Sequence, residues 1–563
     1  MTRALVLSVV VLVALMGAVQ DDAVRFSEVA ASSGIRFGHE NGATPEKYMP
    51  ETMAGGAVIF DYDADGWPDV FLVNGGSLVE ETVAGRATHR LYRNNGDGRF
   101  SDVSEESGIG VSGFGMGACA ADYDNDGRMD LYVTSFGANA LYRNMGSGRF
   151  ADVTESAGVG TSLWSASCAF ADVDNDGDVD LYVTNYVDFD PVENHKFCGD
   201  QTRGGRVYCH PNVYNGLSDV LYRNNGDGTF TDVSREAGIA TTAGKGLGVV
   251  FGDYDGDGAI DIYVANDSVR NFLYHNLGNG AFRDEALVAG VAFGPNGEPL
   301  AGMGTDLGDV DGDGMPDVFV TNLSLQTHNL YRNLGGGLFD EVTARSGVGM
   351  ATRPFVGFGT AFLDYDNDGD LDLAVANGDV VDNVSLYYPD RTYAQRNLLL
   401  KNDGKGVFTD VGPASGPGFA LEKVSRGLAV GDLDNDGDLD ILIVNNGQTA
   451  DLLRNDGGNR GNAILIRTVG TRSNRDGIGA RIRVWAADAP VMLREVKAGS
   501  SYLGQNDLRV HFGLGTAAGA ERIEVAWPSG VVDVLEGVDA NHIVTVLEGS
   551  GITDLGPFDT NAR

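Results

Sequence analysis

Seven times this chain repeats the nine-residue phrase Asp-x-Asp-x-Asp-Gly-x-x-Asp, and each copy runs directly into three apolar residues. The carboxylates fall at Asp61, Asp63, Asp65 and Asp69; Asp122, Asp124, Asp126 and Asp130; Asp172, Asp174, Asp176 and Asp180; Asp253, Asp255, Asp257 and Asp261; Asp309, Asp311, Asp313 and Asp317; Asp364, Asp366, Asp368 and Asp372; and Asp432, Asp434, Asp436 and Asp440. Alternate residues of a curling loop can aim their side chains at one centre, and the glycine at position six permits the sharp turn. Hard divalent cations want oxygen ligands, and Ca2+ accepts several in a flexible shell. No Cys or His lies inside any copy, so softer metals are poorly served. Mg2+ prefers a tight octahedron that keeps its waters. The expectation is up to seven Ca2+ sites, one per copy.

An EF-hand begins in the same way but needs a bidentate Glu at loop position twelve and flanking helices. Position twelve here is Leu72, Val133, Val183, Val264, Val320, Val375 or Ile443. Short runs such as Val-Phe-Leu and Leu-Tyr-Val, rich in β-branched and aromatic residues, read as strands buried on both faces. The Asp loop therefore joins two strands. A second phrase follows, Leu-Tyr-Arg-Asn-x-Gly-x-Gly-x-Phe-x-Asp-Val, at 91–103, 141–153 and 221–233, with looser versions ending at Phe282, Phe339 and Phe408. Its Asn-x-Gly-x-Gly centre is hairpin chemistry between two further strands. Four strands per repeat predict a propeller blade. The seventh repeat lacks the Phe-x-Asp-Val strand, and a stray copy, Phe26-Ser27-Glu28-Val29, opens the chain. The prediction is an all-β, seven-bladed ring whose last blade borrows its outer strand from the N-terminus, which leaves only short, protected edges.

A glycine stands five residues ahead of the first Asp in most copies (Gly56, Gly117, Gly248, Gly304, Gly359 and Gly427, with Ser167 in the third). With this glycine the repeat resembles FG-GAP/VCBS repeats, the calcium-loop blades also found in integrin α-subunit propellers. From Arg460 the Asp loops stop and alternating runs such as Arg481-Ile482-Arg483-Val484-Trp485 predict a small β-rich unit. Four of its phrases resemble the ASPIC/UnbV domain: Ser473-Asn474-Arg475-Asp476-Gly477-Ile478-Gly479-Ala480, Gly499-Ser500-Ser501-Tyr502-Leu503, His511-Phe512-Gly513-Leu514-Gly515 and Trp527-Pro528-Ser529-Gly530. The pairing resembles the cartilage acidic protein family and its bacterial relatives. The expected organisation is a signal peptide at 1–20, a propeller at 21–460, the ASPIC/UnbV unit at 461–548 and a polar tail at 549–563.

Arg3 and an uncharged apolar stretch at 4–19 carry the signal-peptide reading, with cleavage near Ala18 or Gln20. The expected location is secreted, periplasmic or cell-surface, with no transmembrane span in the mature chain. Net charge is −40, which argues against a nucleic-acid partner, whose phosphates demand a basic face. Crowded carboxylates should repel without metal, coupling Ca2+ binding to folding. Cys198 and Cys209 lie in the longest gap between Asp loops and are expected to form a disulfide; a metal site from His195, Cys198, Cys209 and His210 is the rival. Cys119 and Cys168 stand three and four residues before their loops. Strand alternation should put them on opposite faces, predicting two buried free thiols.

Two insertions, 188–215 and 380–396 (with Tyr387, Tyr388, Arg391, Tyr393 and Arg396), carry the aromatic and Arg content of interface anchors. The leading expectation is a calcium-binding adhesion module for an extracellular protein or glycan. The alternative is an extracytoplasmic enzyme or biosynthetic accessory protein. No Gly-x-Ser-x-Gly, His-Glu-x-x-His or dinucleotide-binding pattern supports it, and no catalytic residue is assigned.

Overall fold

The computed structural model describes residues 24–78, 88–110, 113–200, 205–487 and 489–559; the expected signal peptide lies outside them. Seven four-stranded antiparallel sheets repeat one pattern: inner strand, Asp loop, second strand, third strand, glycine turn, fourth strand. The inner strands are Ala57–Phe60, Phe114–Ala121, Ser165–Ala171, Gly246–Gly252, Thr305–Gly308, Gly357–Leu363 and Ser425–Gly431. Each packs against the next, and the last packs against the first. The sheets are thus blades of a closed ring, here numbered one to seven in chain order. Each Asp loop closes a tight hairpin, with Phe60 opposite Asp69 in the first blade. The apolar runs are buried on both faces because blades stack face to face; Val58, Phe71 and Leu91 of blade one pack with Ala118 and Leu131 of blade two.

The ring closes as expected. Arg25–Glu28 is the fourth strand of blade seven, pairing with Asp451–Asp456 so that Phe26 lies opposite Asn455. A ring of asparagines reinforces it. The Nδ2 of Asn144 donates to Met129 O in its own blade and to Tyr62 O in the preceding one. Asn224, Asn276, Asn333, Asn402 and Asn455 reach back in the same way. Asn94 of blade one reaches Leu433 O of blade seven at 2.7 Å, which completes the circle.

Residues 462–557 form two more four-stranded sheets. In the first, Asn462–Val469 lies between Val510–Gly515 and His542–Leu547; in the second, Arg481–Ala486 lies between Met492–Glu495 and Gly519–Ala526. Their core is continuous with that of blades two to four. Between the sheets, the segment 498–505 enters the axis of the ring. It bridges Phe170, Thr305 and Val58 through Ala498, Ser501 and Gln505, and Tyr502 at its tip is fully buried. The plug crowds three of the glycines ahead of the Asp loops, Gly56, Gly117 and Gly248, while backbone at the next blade crowds Gly304, Gly359 and Gly427. A Cβ at Gly56 would stand 2.4 Å from Leu503 O, and one at Gly117 would stand 2.9 Å from Leu503 Cα. The exception, Ser167, uses its hydroxyl to accept the N–H of Leu503 at 2.9 Å.

Two expectations are corrected. Cys119 and Cys168 are not free thiols but a disulfide, with Cα atoms 5.8 Å apart. They stand on opposite faces of two different, neighbouring sheets, and stacked blades bring those opposite faces together. The tail is not wholly a tail: Gly551–Pro557 pairs with His542–Leu547. It is an edge strand with mostly exposed side chains, so its sequence lacks the apolar signature of a buried one. Beyond it Phe558 is buried and Asp559 N donates to Asn435 O of the seventh Asp loop.

Candidate metal centres and the opposite face

In every Asp loop the first carboxylate is pinned by backbone: in loop one Asp61 accepts the N–H groups of Asp65 and Gly66, at 3.1 and 3.0 Å. The fifth closes the turn, as Asp65 accepts Trp67 N at 2.9 Å and its six counterparts do likewise. The ninth accepts the N–H of the ring asparagine, Asn94 N to Asp69 at 2.7 Å. Ligand atoms of positions one, three and nine come within 4.8 Å of one another in loops one to four: Asp61, Asp63 and Asp69; Asp122, Asp124 and Asp130; Asp172, Asp174 and Asp180; Asp253, Asp255 and Asp261.

The third position is different. Asp124, Asp174, Asp311 and Asp366 each keep a buried oxygen with no hydrogen-bond partner, and a third-strand cation stands beside three of them: Arg143 2.6 Å from Asp124, Arg332 against Asp311 and Lys401 against Asp366. Burial and mutual repulsion make these charges costly without a metal. Desolvation pushes Asp69, Asp130 and Asp261 up to about 9 and Asp122 up to about 7, with neighbouring loop carboxylates adding to the rise. An all-oxygen donor set with orphaned oxygens facing inward fits Ca2+. When bound, the ion would supply countercharge beyond that of the single third-strand cation.

The C-terminal unit sits on these loops. Asp476 accepts Asp122 N at 2.8 Å, Arg475 N donates to Asn125, and Arg481 Nη1 donates to Asp253 at 2.7 Å. Gly513 N donates to Asp364, and Arg509 donates to Asn435 and to Asp432 O. The phrases that resemble ASPIC/UnbV therefore include three residues that touch the Asp loops, Arg475, Asp476 and Gly513, and the tip of the axial plug, whereas Arg481 and Arg509 lie outside them.

The blade hairpins place their other ends on the opposite side of the ring, where both insertions lie. Residues 44–52 bridge them: Glu46 pairs with Arg206, Lys47 with Asp382, and Tyr208 donates to Glu51 at 3.0 Å. Cys198 and Cys209 are disulfide-bonded, with Cα atoms 5.2 Å apart. That removes both thiolates from the rival metal set; His195 faces Glu46 O, and His210 Nδ1 accepts Asn212 N. A cavity of about 400 Å³ opens between the insertions, lined by Met49, Met53, Tyr186, Tyr208, Met303, Val356, Val380, Tyr387, Tyr388 and Arg391 among others. Its carboxylates are engaged: Asp267 accepts Tyr186 Oη and Ser268 Oγ, and Asp379 accepts Val381 N. Tyr393 and Arg396 serve the scaffold instead; Tyr393 O accepts Asp379 N, and Arg396 pairs with Asp410. Sequence reasoning missed the ring asparagines, although their fixed place in the Leu-Tyr-Arg-Asn phrase was the available signal.

The FG-GAP-like repeat profile matches residues 61–133, 122–183, 212–264, 253–320, 309–375 and 377–443, more than half of the chain, and the profile described as ASPIC and UnbV matches 470–553. Cartilage acidic protein 1 of Mus musculus is 29% identical over 371 residues, covering 62% of this chain and 54% of that protein. The Homo sapiens protein of the same name is 30% identical over 325 residues, covering 56% and 46%. The chain thus spans about half the length of these curated relatives. Among solved structures, the Bacillus licheniformis rhamnogalacturonan lyase PL11 superposes with a TM-score of 0.36 at 13% identity, over 76% of this chain and 75% of that one, a likeness too slight to speak to chemistry. Among the described residues no helix is long and apolar enough to cross a membrane. With the repeats matched across most of the ring and the second profile matched beyond it, the chain belongs to the FG-GAP-like repeat family and carries an ASPIC and UnbV domain after the repeats.

Proposed function

We propose that this protein is an extracellular binding module whose blades are held by Ca2+ at the seven Asp loops and whose ligand, a protein or glycan, docks on the face opposite the ASPIC/UnbV unit. One observation carries the reading. The cavity on that face is lined mostly by apolar and aromatic side chains, among them the half-exposed Tyr388, and the segments that line it or border it also carry the exposed apolar residues Phe197, Leu386 and Leu325. Apolar surface gathered round a concavity marks interaction sites on secreted proteins. The other face is covered by the C-terminal unit. Two disulfides suit an oxidising compartment. The engaged state of Asp267 and Asp379 favours binding over catalysis.

The test is capture of secreted proteins and a glycan array with wild type and with the pair Leu386→Asp and Tyr388→Ala, in calcium and after chelation. The expected result is a ligand retained by wild type in calcium and lost by the variant, whose melting temperature is unchanged. Equal capture by both would assign the contact to another surface.

A further inference from the structure

Blade four departs from its siblings at one residue that faces the Asp loop. Immediately before the ring asparagine, six blades carry a permanent cation: Arg93, Arg143, Arg223, Arg332, Lys401 and Arg454. Blade four carries His275. No histidine lies inside an Asp loop in the sequence; strand pairing of Phe272–Asn276 with Asp261–Asn266 brings this one to loop four. Its Nδ1 lies 3.4 Å from Asp255 Oδ2 and 3.4 Å from Asp261 Oδ1. That nitrogen is buried and has no hydrogen-bond partner, and the side chain is 16% exposed. Ligand atoms of Asp255, Asp257 and His275 lie within 4.8 Å of one another.

A second feature of the same loop is independent of the histidine. Arg481 of the C-terminal unit takes Asp253 Oδ2 in a 2.7 Å ion pair, which neutralises one of the loop's hard anionic donors. Guanidinium and ammonium groups stay protonated and can only offset charge. An imidazole can lose its proton and donate a nitrogen lone pair to a metal. Loop four thus gives up part of its oxygen set and offers nitrogen instead. Mixed imidazole–carboxylate sets hold first-row transition dications more tightly than Ca2+, which takes oxygen ligands.

We propose that loop four is a binding site for a first-row transition dication, with His275 Nδ1, Asp255 and Asp261 as ligands. This deepens the calcium reading at one loop and rests on it only in that the loop folds around a dication. The experiment titrates Zn2+ by calorimetry into metal-stripped full-length protein first saturated with Ca2+, and measures Ca2+ bound per chain in a parallel sample. Wild type is expected to take one Zn2+ per chain in the presence of Ca2+. His275→Arg, the residue of most sibling blades, is expected to weaken that site by at least about tenfold, the scale on which altered metal-site residues act, with melting temperature in Ca2+ unchanged. Arg332→His, which sets an imidazole beside Asp311, is expected to add an equivalent. Undiminished Zn2+ binding in His275→Arg, no gain in Arg332→His, or no Zn2+ uptake by wild type once Ca2+ is bound would each overturn the assignment. Failure of Ca2+ to bind the other loops would be read in the parallel sample and would overturn the calcium reading instead.

Discussion

Replacing Tyr502 by alanine removes the tip of the axial plug. The side chain is fully buried, its hydroxyl donates to Met53 O at 2.7 Å, and its ring meets Phe358 at 5.0 Å, edge on. Truncating a buried aromatic ring costs about 3–5 kcal/mol, and leaving the Met53 carbonyl without its donor adds about 1 kcal/mol or more. The expected loss is therefore about 4–6 kcal/mol, whereas Tyr502→Phe, which loses only the hydrogen bond, should lose about 1 kcal/mol. The site of the loss is diagnostic. Tyr502 belongs to the C-terminal unit, yet its contacts lie on blade six and the segment leading into blade one, so the ring itself should become easier to unfold. Urea denaturation at saturating Ca2+ reads this, with Trp67 and Trp164 reporting the ring and Trp485 and Trp527 the C-terminal unit. A loss below about 1 kcal/mol for Tyr502→Ala, ordinary for a surface change, with the ring's transition unmoved, would refute the plug as a structural tie.

Other expectations follow from single contacts. Asn94→Ala removes two donors to carbonyls, one across the closure, and one acceptor for Gly96 N; it should cost about 2–4 kcal/mol, read as a lower urea midpoint with an unchanged slope. Cys119→Ser with Cys168→Ser opens a link across 49 residues and should cost about 4 kcal/mol, against about 3 kcal/mol for the link across 11 at Cys198–Cys209; melting temperatures of the two double variants check the order. Glu548 accepts Ser529 Oγ and the N–H groups of Arg472, Ser473 and Thr471, which hold its pKa down at about 2 against an ordinary 4.5. A carboxyl depressed on folding stabilises above its unfolded pKa and loses that contribution as pH falls toward about 2. Glu548→Gln should therefore be less stable than wild type at pH 7 and lose less on acidification from pH 5 to pH 2, checked by denaturation along that pH series.

Repetition made the ring legible. The Asp phrase, its apolar sequel and the glycine hairpin each recur at fixed places, so strand order and even the displaced Phe26 strand could be read from spacing. What recurs only in space could not. Cys119 and Cys168 meet because they stand on facing sheets, and parity within a single strand gives the wrong inference about residues on two. Gly499-Ser500-Ser501-Tyr502-Leu503 is recognisable as a phrase, but nothing in it says that it enters the axis; the signal lay in the glycines opposite, whose need for a close neighbour has no signature until the neighbour is seen. His275 is silent for the same reason: it lies fourteen residues beyond the last Asp of its loop and returns through a strand pairing. The Asp loops were the most legible part of the site, and the division of labour within them the least, since it depends on which oxygen each backbone N–H finds.

On the proposed reading the Asp loops are calcium sites on which the ring depends. That reading is tested most directly by measuring Ca2+ bound per chain in metal-stripped full-length protein as calcium is restored, with thermal stability followed on the same samples. The expected result is uptake of several Ca2+ per chain, six where loop four prefers a transition dication and seven where it also accepts Ca2+, with a melting temperature that climbs as the loops fill. Uptake of one ion or none, or a melting temperature indifferent to verified metal removal, would contradict it.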